Sequence, residues 1–183
     1  RRAERTACHP PAGADLIRRL AAQADVLVEN FKVGSLAKYG LDYASITAIN
    51  PRIVYCSVTG FGQDGPYANR GGYDFLAQGM GGLMSVTGEA DGPPLTVGVA
   101  MADLATGMYA TVSILAALRH AERTGEGQQI DISLLDTQIA MLANQASSYL
   151  VGGVVPGRMG NRHPTVVPYT TFEVTDGTVI IAI

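Results

Sequence analysis

The stretch RIVYCSVTGFGQDG, residues 52–65, decides how the chain folds. Its first half, residues 52–58, is a nearly continuous apolar run, which is typical of a strand covered on both faces of a parallel sheet. A similar run, DVLVENF, lies at residues 25–31, and the residues at 33–49 predict two short helical pieces between the two strands. This strand–helix–strand order predicts an α/β fold built on a parallel sheet.

The second half of the stretch places Gly60, Gly62 and Gly65 at the G-x-G-x-x-G spacing of a dinucleotide-binding turn. In that fold the glycines lead directly into a helix whose N-terminus binds the pyrophosphate. Here a second turn, PYANRGGY, follows instead, and the acidic residue expected about twenty positions later could only be Glu89, in a predicted loop. A turn over the sheet edge is therefore favoured, and a dinucleotide-binding module is the weakest alternative.

Hydrophobic periodicity predicts further elements on both sides of this stretch. The predicted helices are 13–23, 73–88, 102–125 and 135–151, a third strand is 128–134, and a β-hairpin is 170–183. The helix at 13–23 would place Leu16, Ile17 and Leu20 on one apolar face, and Met80, Met84 and Met141 are predicted core residues.

Composition excludes several classes of function. The net charge is −3 and no basic cluster is present, which argues against nucleic-acid binding. Two cysteines, Cys8 and Cys56, and three scattered histidines predict neither a disulfide framework nor a metal site. No apolar run approaches the roughly 20 residues of a membrane span, and no signal peptide is evident. We expect a soluble, cytoplasmic protein.

Asp103 is the strongest candidate for chemistry, because it begins the most regular helix in the sequence. A carboxylate near a helix N-terminus is stabilised in its ionised form by ~0.3–1 kcal/mol. One interpretation is an N-cap residue. The other is a carboxylate nucleophile, since the small neighbours Ala102, Ala105 and Gly107 leave space beside it.

The motifs VENF, NPR, TGFG…GPY…GYD, ADL-x-TG and RTGEGQ-x-ID follow one another in this order along the chain. In this order they resemble the class III CoA-transferase family, the group of formyl-CoA and carnitine CoA-transferases, and most of all its branch acting on dicarboxylates such as succinate and glutarate. The resemblance implies an α/β large domain, a smaller α+β domain and an interlocked homodimer. It also implies an acyl-CoA and a carboxylic acid acceptor as substrates, with no metal or redox cofactor.

The resemblance assigns roles to individual residues. It implies that Asp103 is the nucleophile and that Gly72 and Tyr73 lie beside the thioester. It implies that Asn30 and Phe31 contact the CoA moiety, and that Lys38 and Tyr39 lie near the CoA nucleotide.

The resemblance also sets the expected domain boundaries. Residues 1–151 would be the central part of the large CoA-binding domain, 152–168 a linker, and 169–183 the start of the small domain. The chain starts without Met and stops inside an apolar run, so we expect both ends to be truncated. The segment NRHPTVVPY lacks the glycine loop of formyl-CoA transferases, which weighs against oxalate or formate as substrate.

Several alternatives stay open. Asn161, Arg162 and His163 could bind a substrate carboxylate or only shape the linker. A 2-methylacyl-CoA racemase on the same fold carries His where this chain has Tyr73, and a tyrosine with an ordinary pKa near 10 is a poor base at neutral pH. A catalytically inert fragment is the remaining alternative.

Overall fold

The computed structural model of the chain describes residues 11–183. Cys8 and His9, which were among the cysteines and histidines considered in the sequence, lie outside this range. In chain order the elements are α1 (Pro11–Ala21), β1 (Val26–Glu29), a 3₁₀ turn (Ala37–Tyr39), α2 (Tyr43–Ile49), β2 (Val54–Thr59), α3 (Asp74–Met80), α4 (Leu83–Val86), α5 (Met101–Thr124), β3 (Gln129–Ser133), α6 (Leu134–Ala140), α7 (Ala143–Gly152), β4 (Tyr169–Val174) and β5 (Gly177–Ala182).

The predicted parallel sheet is confirmed. β2 is its central strand and pairs in parallel with β1 on one side and β3 on the other. The predicted hairpin is also confirmed, since β4 and β5 form a separate antiparallel pair. The proposed division into a large domain, a linker and a small domain stays a prediction.

One face of the sheet packs against α1 and α2. The buried residues of this core are Ala14, Ala21, Leu36, Leu41, Ile46, Ile53 and Tyr55. The Tyr55 hydroxyl donates a hydrogen bond to the Leu41 carbonyl at 2.7 Å, which satisfies the one polar group that this side chain brings into the core. Burial, together with the charges of Glu29 and Asp42, raises the pKa of Tyr55 far above its usual range.

The other face is covered by α5, which packs against β2, β3 and α6. The buried positions of α5 are small: Ala102, Ala105, Thr106, Ala110, Ala117 and Ala121. Small side chains let the helix approach the sheet closely, and the hydroxyls of Thr106 and Thr137 form a hydrogen bond of 2.7 Å between α5 and α6.

The expectation that no apolar run is long enough for a membrane span is wrong for α5. Within the described residues, Met101–Thr124 is long and apolar enough to cross a membrane by length and composition. Core helices of soluble proteins pass the same test, so this is weak evidence of a span.

Two predicted helices are broken in the structure. The helix at 73–88 divides into α3 and α4 at Gly81 and Gly82. Gly82 has a φ of +90°, and a Cβ on Gly81 would lie 2.7 Å from the Gln138 side chain, so both glycines are required at this bend. The helix at 135–151 divides into α6 and α7, where Ala143 has a φ of +45°.

Several residues predicted to be buried are exposed among the described residues. β1 was expected to be covered on both faces, but Val28 is 58% exposed. Leu20, Met80 and Met141 are exposed as well. On α1 the buried positions are Ala14 and Ala21, with Ile17 packed against them, so the helix is rotated from the face that the larger side chains suggest.

Candidate active site

A cavity of about 620 Å³ lies where the parallel strands of the sheet end. Asn30 follows β1, Thr59 ends β2 and Leu134 follows β3, and all three line the cavity. Asp103 reaches the same space from the first turn of α5. The carboxyl edge of a parallel sheet is the usual place for a ligand in α/β proteins, because loops and helix N-termini converge there.

The cavity brings together five of the predicted site residues: Asn30, Phe31, Gly72, Tyr73 and Asp103. It does not include Lys38 and Tyr39, which lie in the 3₁₀ turn with the Lys38 Nζ 4.9 Å from the centre of the Tyr39 ring. Asn161, Arg162 and His163 do not line it either. The roles of all these residues stay predictions.

The glycine-rich loop at 60–72 closes on itself at its two ends. A Cβ on Gly72 would lie 2.5 Å from the Gly60 Cα, a separation that real Cβ atoms essentially never show. Gly62 and Gly65, with φ values of +88° and +85°, turn the chain between these ends. No helix begins at Gly65, so the turn predicted from sequence is confirmed and the dinucleotide fingerprint is not formed.

Aromatic and polar contacts hold the interior of this loop. The Phe61 and Tyr67 rings meet edge to face with centres 5.4 Å apart, and the Arg70 guanidinium lies 4.6 Å from the centre of the Tyr67 ring. The Gln63 N–H donates to the Asp131 carboxylate on β3 at 2.8 Å. The loop is therefore tied to the sheet.

Tyr73 follows the closed loop directly. It immediately precedes α3 and is 80% exposed. Its phenol is thus available to a molecule in the cavity, at a position set by the contact between Gly60 and Gly72.

Of the two interpretations of Asp103, the N-cap interpretation is wrong. Asp103 is the third residue of the helix, the N-cap position is Ala100, and no Ala100 side-chain atom can accept a hydrogen bond. Asp74 supplies the missing acceptor from α3. Its Oδ1 accepts from the Ala102 N–H at 2.7 Å and from the Asp103 N–H at 3.4 Å.

The pKa of Asp103 is shifted in the direction opposite to the one that a helix N-terminus alone would give. Partial loss of solvent and then the nearby Asp74 charge raise the pKa of Asp103 above its usual range, although much of the side chain stays exposed. The N–H donors that would have stabilised ionised Asp103 are bonded to Asp74 instead. The carboxylate is consequently more basic than an ordinary aspartate.

Two cations that the motif analysis did not assign to the site also line the cavity, Lys32 and Arg70. Lys32 directly follows Asn30 and Phe31, and Arg70 directly precedes the glycines before Tyr73. The sequence signal that could have identified them is their place beside the VENF and GYD motifs. Together they make this edge of the sheet suited to an anionic ligand.

The fold and the cavity define an α/β domain with a cavity at the carboxyl edge of its parallel sheet, lined by the Asp103 carboxylate. The chain matches the model of CoA-transferase family III over residues 9–183 and belongs to this family. The resemblance noted in the sequence is thereby confirmed.

Individual relatives agree with this assignment. The chain is 56% identical over 173 residues to the succinate–glutarate CoA-transferase of Agrobacterium fabrum, covering 94% of this chain and 43% of that protein. It is 46% identical over 171 residues to the succinyl-CoA:glutarate CoA-transferase of Homo sapiens, covering 93% of this chain and 39% of that protein.

A solved structure shows the same fold. The crystal structure of a CAIB/BAIF family protein from Brucella suis superposes with a TM-score of 0.90 at 55% identity, covering 97% of this chain and 47% of that one. The chain thus spans less than half the length of these relatives.

Proposed function

We propose that this chain contributes the central part of an enzyme that transfers coenzyme A between carboxylic acids, with dicarboxylates as the acid class. The observation that carries the proposal is the exposed Asp103 carboxylate, which shares one cavity with Gly72, Tyr73 and two cations. The names of the relatives, which act on succinate and glutarate, support the choice of acids.

The proposed reaction begins at the Asp103 carboxylate. Asp103 attacks the carbonyl carbon of the donor acyl-CoA and expels the CoA thiolate, which leaves a mixed anhydride between Asp103 and the donor acid. The thiolate then attacks the Asp103 carbonyl of that anhydride, giving an aspartyl-CoA thioester and the free donor acid. Covalent catalysis of this kind divides one difficult exchange into easier steps.

The second half repeats these steps with the acceptor. Its carboxylate attacks the aspartyl-CoA carbonyl and expels the thiolate, which forms a mixed anhydride between Asp103 and the acceptor. The thiolate then attacks the acceptor carbonyl and regenerates Asp103. Because the bond energy of the thioester is conserved throughout, the route needs no metal and no redox cofactor.

The oxyanion formed at each step requires a hydrogen-bond donor. The N–H groups of Ala102 and Asp103 are bonded to Asp74, which weighs against their use in this role. We therefore assign the donor to the backbone at Gly71 and Gly72, which lines the cavity and where the side-chain position of Gly71 has no neighbour within 4 Å.

The covalent route is tested by trapping. The longest open reading frame that encodes this chain is incubated with succinyl-CoA and hydroxylamine, which converts an aspartyl anhydride or thioester into a hydroxamate. We expect peptide mass spectrometry to find the hydroxamate at Asp103 and to find none without succinyl-CoA. An unmodified Asp103 peptide during measurable turnover would instead indicate direct transfer in a ternary complex.

Tyr73 separates transfer from racemisation. We expect Tyr73→Phe to lower transfer by about tenfold or less, the effect of one lost hydrogen bond. In heavy water we expect no deuterium to enter the α position of a 2-methylacyl-CoA, as judged by NMR. Tyr109→Phe, on α5 outside the cavity lining, is the matched control. Deuterium incorporation without CoA transfer to succinate would support the racemase instead.

We further propose a homodimeric, cytoplasmic enzyme. The exposed residues Leu104, Met108, Val112 and Leu115 form a stripe along α5. Contiguous apolar surface of this kind usually marks a protein–protein interface. Analytical ultracentrifugation of the longest reading frame would show a dimer, and a monomer at micromolar concentration would contradict this assembly.

A further inference from the structure

We propose that Asp74 and Gln78, which we call the α3 bracket, hold the first turn of α5 and thereby position the Asp103 carboxylate for reaction. The inference rests on the proposed role of Asp103 as nucleophile. It makes Asp74 and Gln78 positioning residues, since they act through α5.

The first turn of α5 requires an acceptor from elsewhere in the chain. The initial N–H groups of a helix have no partner within the helix. Ala100 at the N-cap offers no side-chain acceptor, and Asp74 Oδ1 takes this role at 2.7 Å from the Ala102 nitrogen. The residue that fixes the start of α5 is therefore 28 positions upstream of Ala102, on another helix.

Gln78 extends the bracket to the segment that leads into α5. Its side chain is fully buried, and its Nε2 donates to Asp74 Oδ2 at 2.7 Å. Its Oε1 accepts from the Val97 N–H at 3.0 Å and from the Thr96 hydroxyl at 3.1 Å. A buried amide with partners at both ends has one favoured orientation, so α3, residues 96–97 and the start of α5 are held as one unit.

The bracket also sets the electrostatics of Asp103. Asp74 brings a negative charge to the first turn of α5 and occupies its N–H donors. Of the charged and titratable groups around Asp103, Lys32, Arg70 and Tyr73 line the cavity and Asp74 lies on α3. Partial burial and then the Asp74 charge raise the pKa of Asp103, so neutralising Asp74 is expected to shift the ionisation of Asp103 to lower pH.

Two substitutions separate the hydrogen bond to α5 from the other contributions of Asp74. Asp74→Asn keeps an acceptor oxygen for the Ala102 N–H but removes the charge and places an amide donor against the Gln78 Nε2, whereas Asp74→Ala removes all of these contacts. Asp136→Asn is the matched control, because Asp136 also lies in the first turn of a helix, α6, and does not line the cavity.

The experiment uses the longest open reading frame that encodes this chain, with succinyl-CoA and glutarate as substrates. For Asp74→Ala we expect kcat to fall about 100-fold with little change in KM, because a small displacement of a reacting group costs about this much. For Asp74→Asn we expect a smaller loss, with the acidic limb of the kcat/KM profile moved to lower pH. Asp136→Asn should leave both the rate and the profile unchanged.

A second readout does not depend on turnover. A water-soluble carbodiimide labels carboxyl groups more readily when they are protonated, so the pH dependence of labelling at Asp103, followed by mass spectrometry, reports its ionisation. We expect Asp74→Asn to move the midpoint to lower pH, and Asp136→Asn to leave it in place. If Asp74→Ala fails to fold, as judged by circular dichroism, Asp74→Asn decides the question.

The outcomes separate the two proposals. If the wild type transfers CoA and both Asp74 variants keep its kcat, pH profile and labelling midpoint, the bracket is overturned and the proposed function stands. If the wild type transfers no CoA but the midpoint moves in Asp74→Asn, the proposed function fails while the effect of Asp74 on Asp103 is established. If the wild type transfers no CoA and the labelling midpoint is also unchanged in Asp74→Asn, both proposals are overturned.

Discussion

Asp103→Ala, introduced into the longest open reading frame that encodes this chain, is expected to lower CoA transfer by at least about 1,000-fold. The carboxylate is the proposed site of both the anhydride and the thioester, and no later step can proceed without it. Losing a nucleophile of this kind costs several kcal/mol of barrier, about 1.4 kcal/mol for each factor of ten in rate. Steady-state kinetics with succinyl-CoA and glutarate measures the effect.

The same variant is expected to keep its fold. In the folded chain the pKa of Asp103 is raised by loss of solvent and by Asp74. A carboxyl group of this kind contributes stability below its unfolded-state pKa, and this contribution is lost as pH rises through its folded-state pKa. At neutral pH its removal should therefore leave the thermal midpoint unchanged or slightly higher.

A control substitution accompanies Asp103→Ala, and two results would contradict the assignment of Asp103 as nucleophile. Asp176→Asn, in the exposed turn between β4 and β5, removes a carboxylate far along the chain from the cavity lining and should retain wild-type turnover. Turnover of Asp103→Ala above a hundredth of the wild-type value would eliminate Asp103 as nucleophile. A large drop in its thermal midpoint would show that Asp103 has a structural role instead.

Gly72→Ala is expected to have the second largest effect on CoA transfer, and it should also lower the stability of the fold. The new Cβ would lie 2.5 Å from the Gly60 Cα, and no rotamer change can relieve this overlap because the Gly60 Cα is a backbone atom. Either the loop at 60–72 opens or the chain shifts, and both displace Tyr73 from the cavity. We expect about 1–3 kcal/mol of lost stability and at least about a 100-fold lower kcat/KM.

The neighbouring glycine offers a close control. A Cβ on Gly71 would meet nothing within 4 Å, and Gly71 is not among the glycines with positive φ. Gly71→Ala should therefore keep the wild-type thermal midpoint. Equal midpoints and equal kcat/KM for Gly71→Ala and Gly72→Ala would show that the contact between the loop ends does not hold the site.

The sequence alone determined the α/β class and the order of the main elements. The apolar run at 52–58 is too continuous for a half-exposed strand, a second apolar run lies at 25–31, and the segment between them is helical, so a parallel pairing of the two strands follows. It also distinguished a turn from a dinucleotide loop, because a second glycine-rich turn stands where the phosphate-binding helix would begin. Local pattern suffices for these features, since each depends on residues close together in the chain.

Tertiary structure alone decided how the candidate site is held. Asp74 and Ala102 are 28 residues apart and Gly60 and Gly72 are 12 apart, yet both pairs are in direct contact. Partial burial and then the Asp74 charge raise the pKa of Asp103, whereas helix position alone suggested the opposite sign. Hydrophobic periodicity reports which face of an element is buried. It does not report which distant group supplies a hydrogen bond or a charge, because those are fixed only when the elements pack.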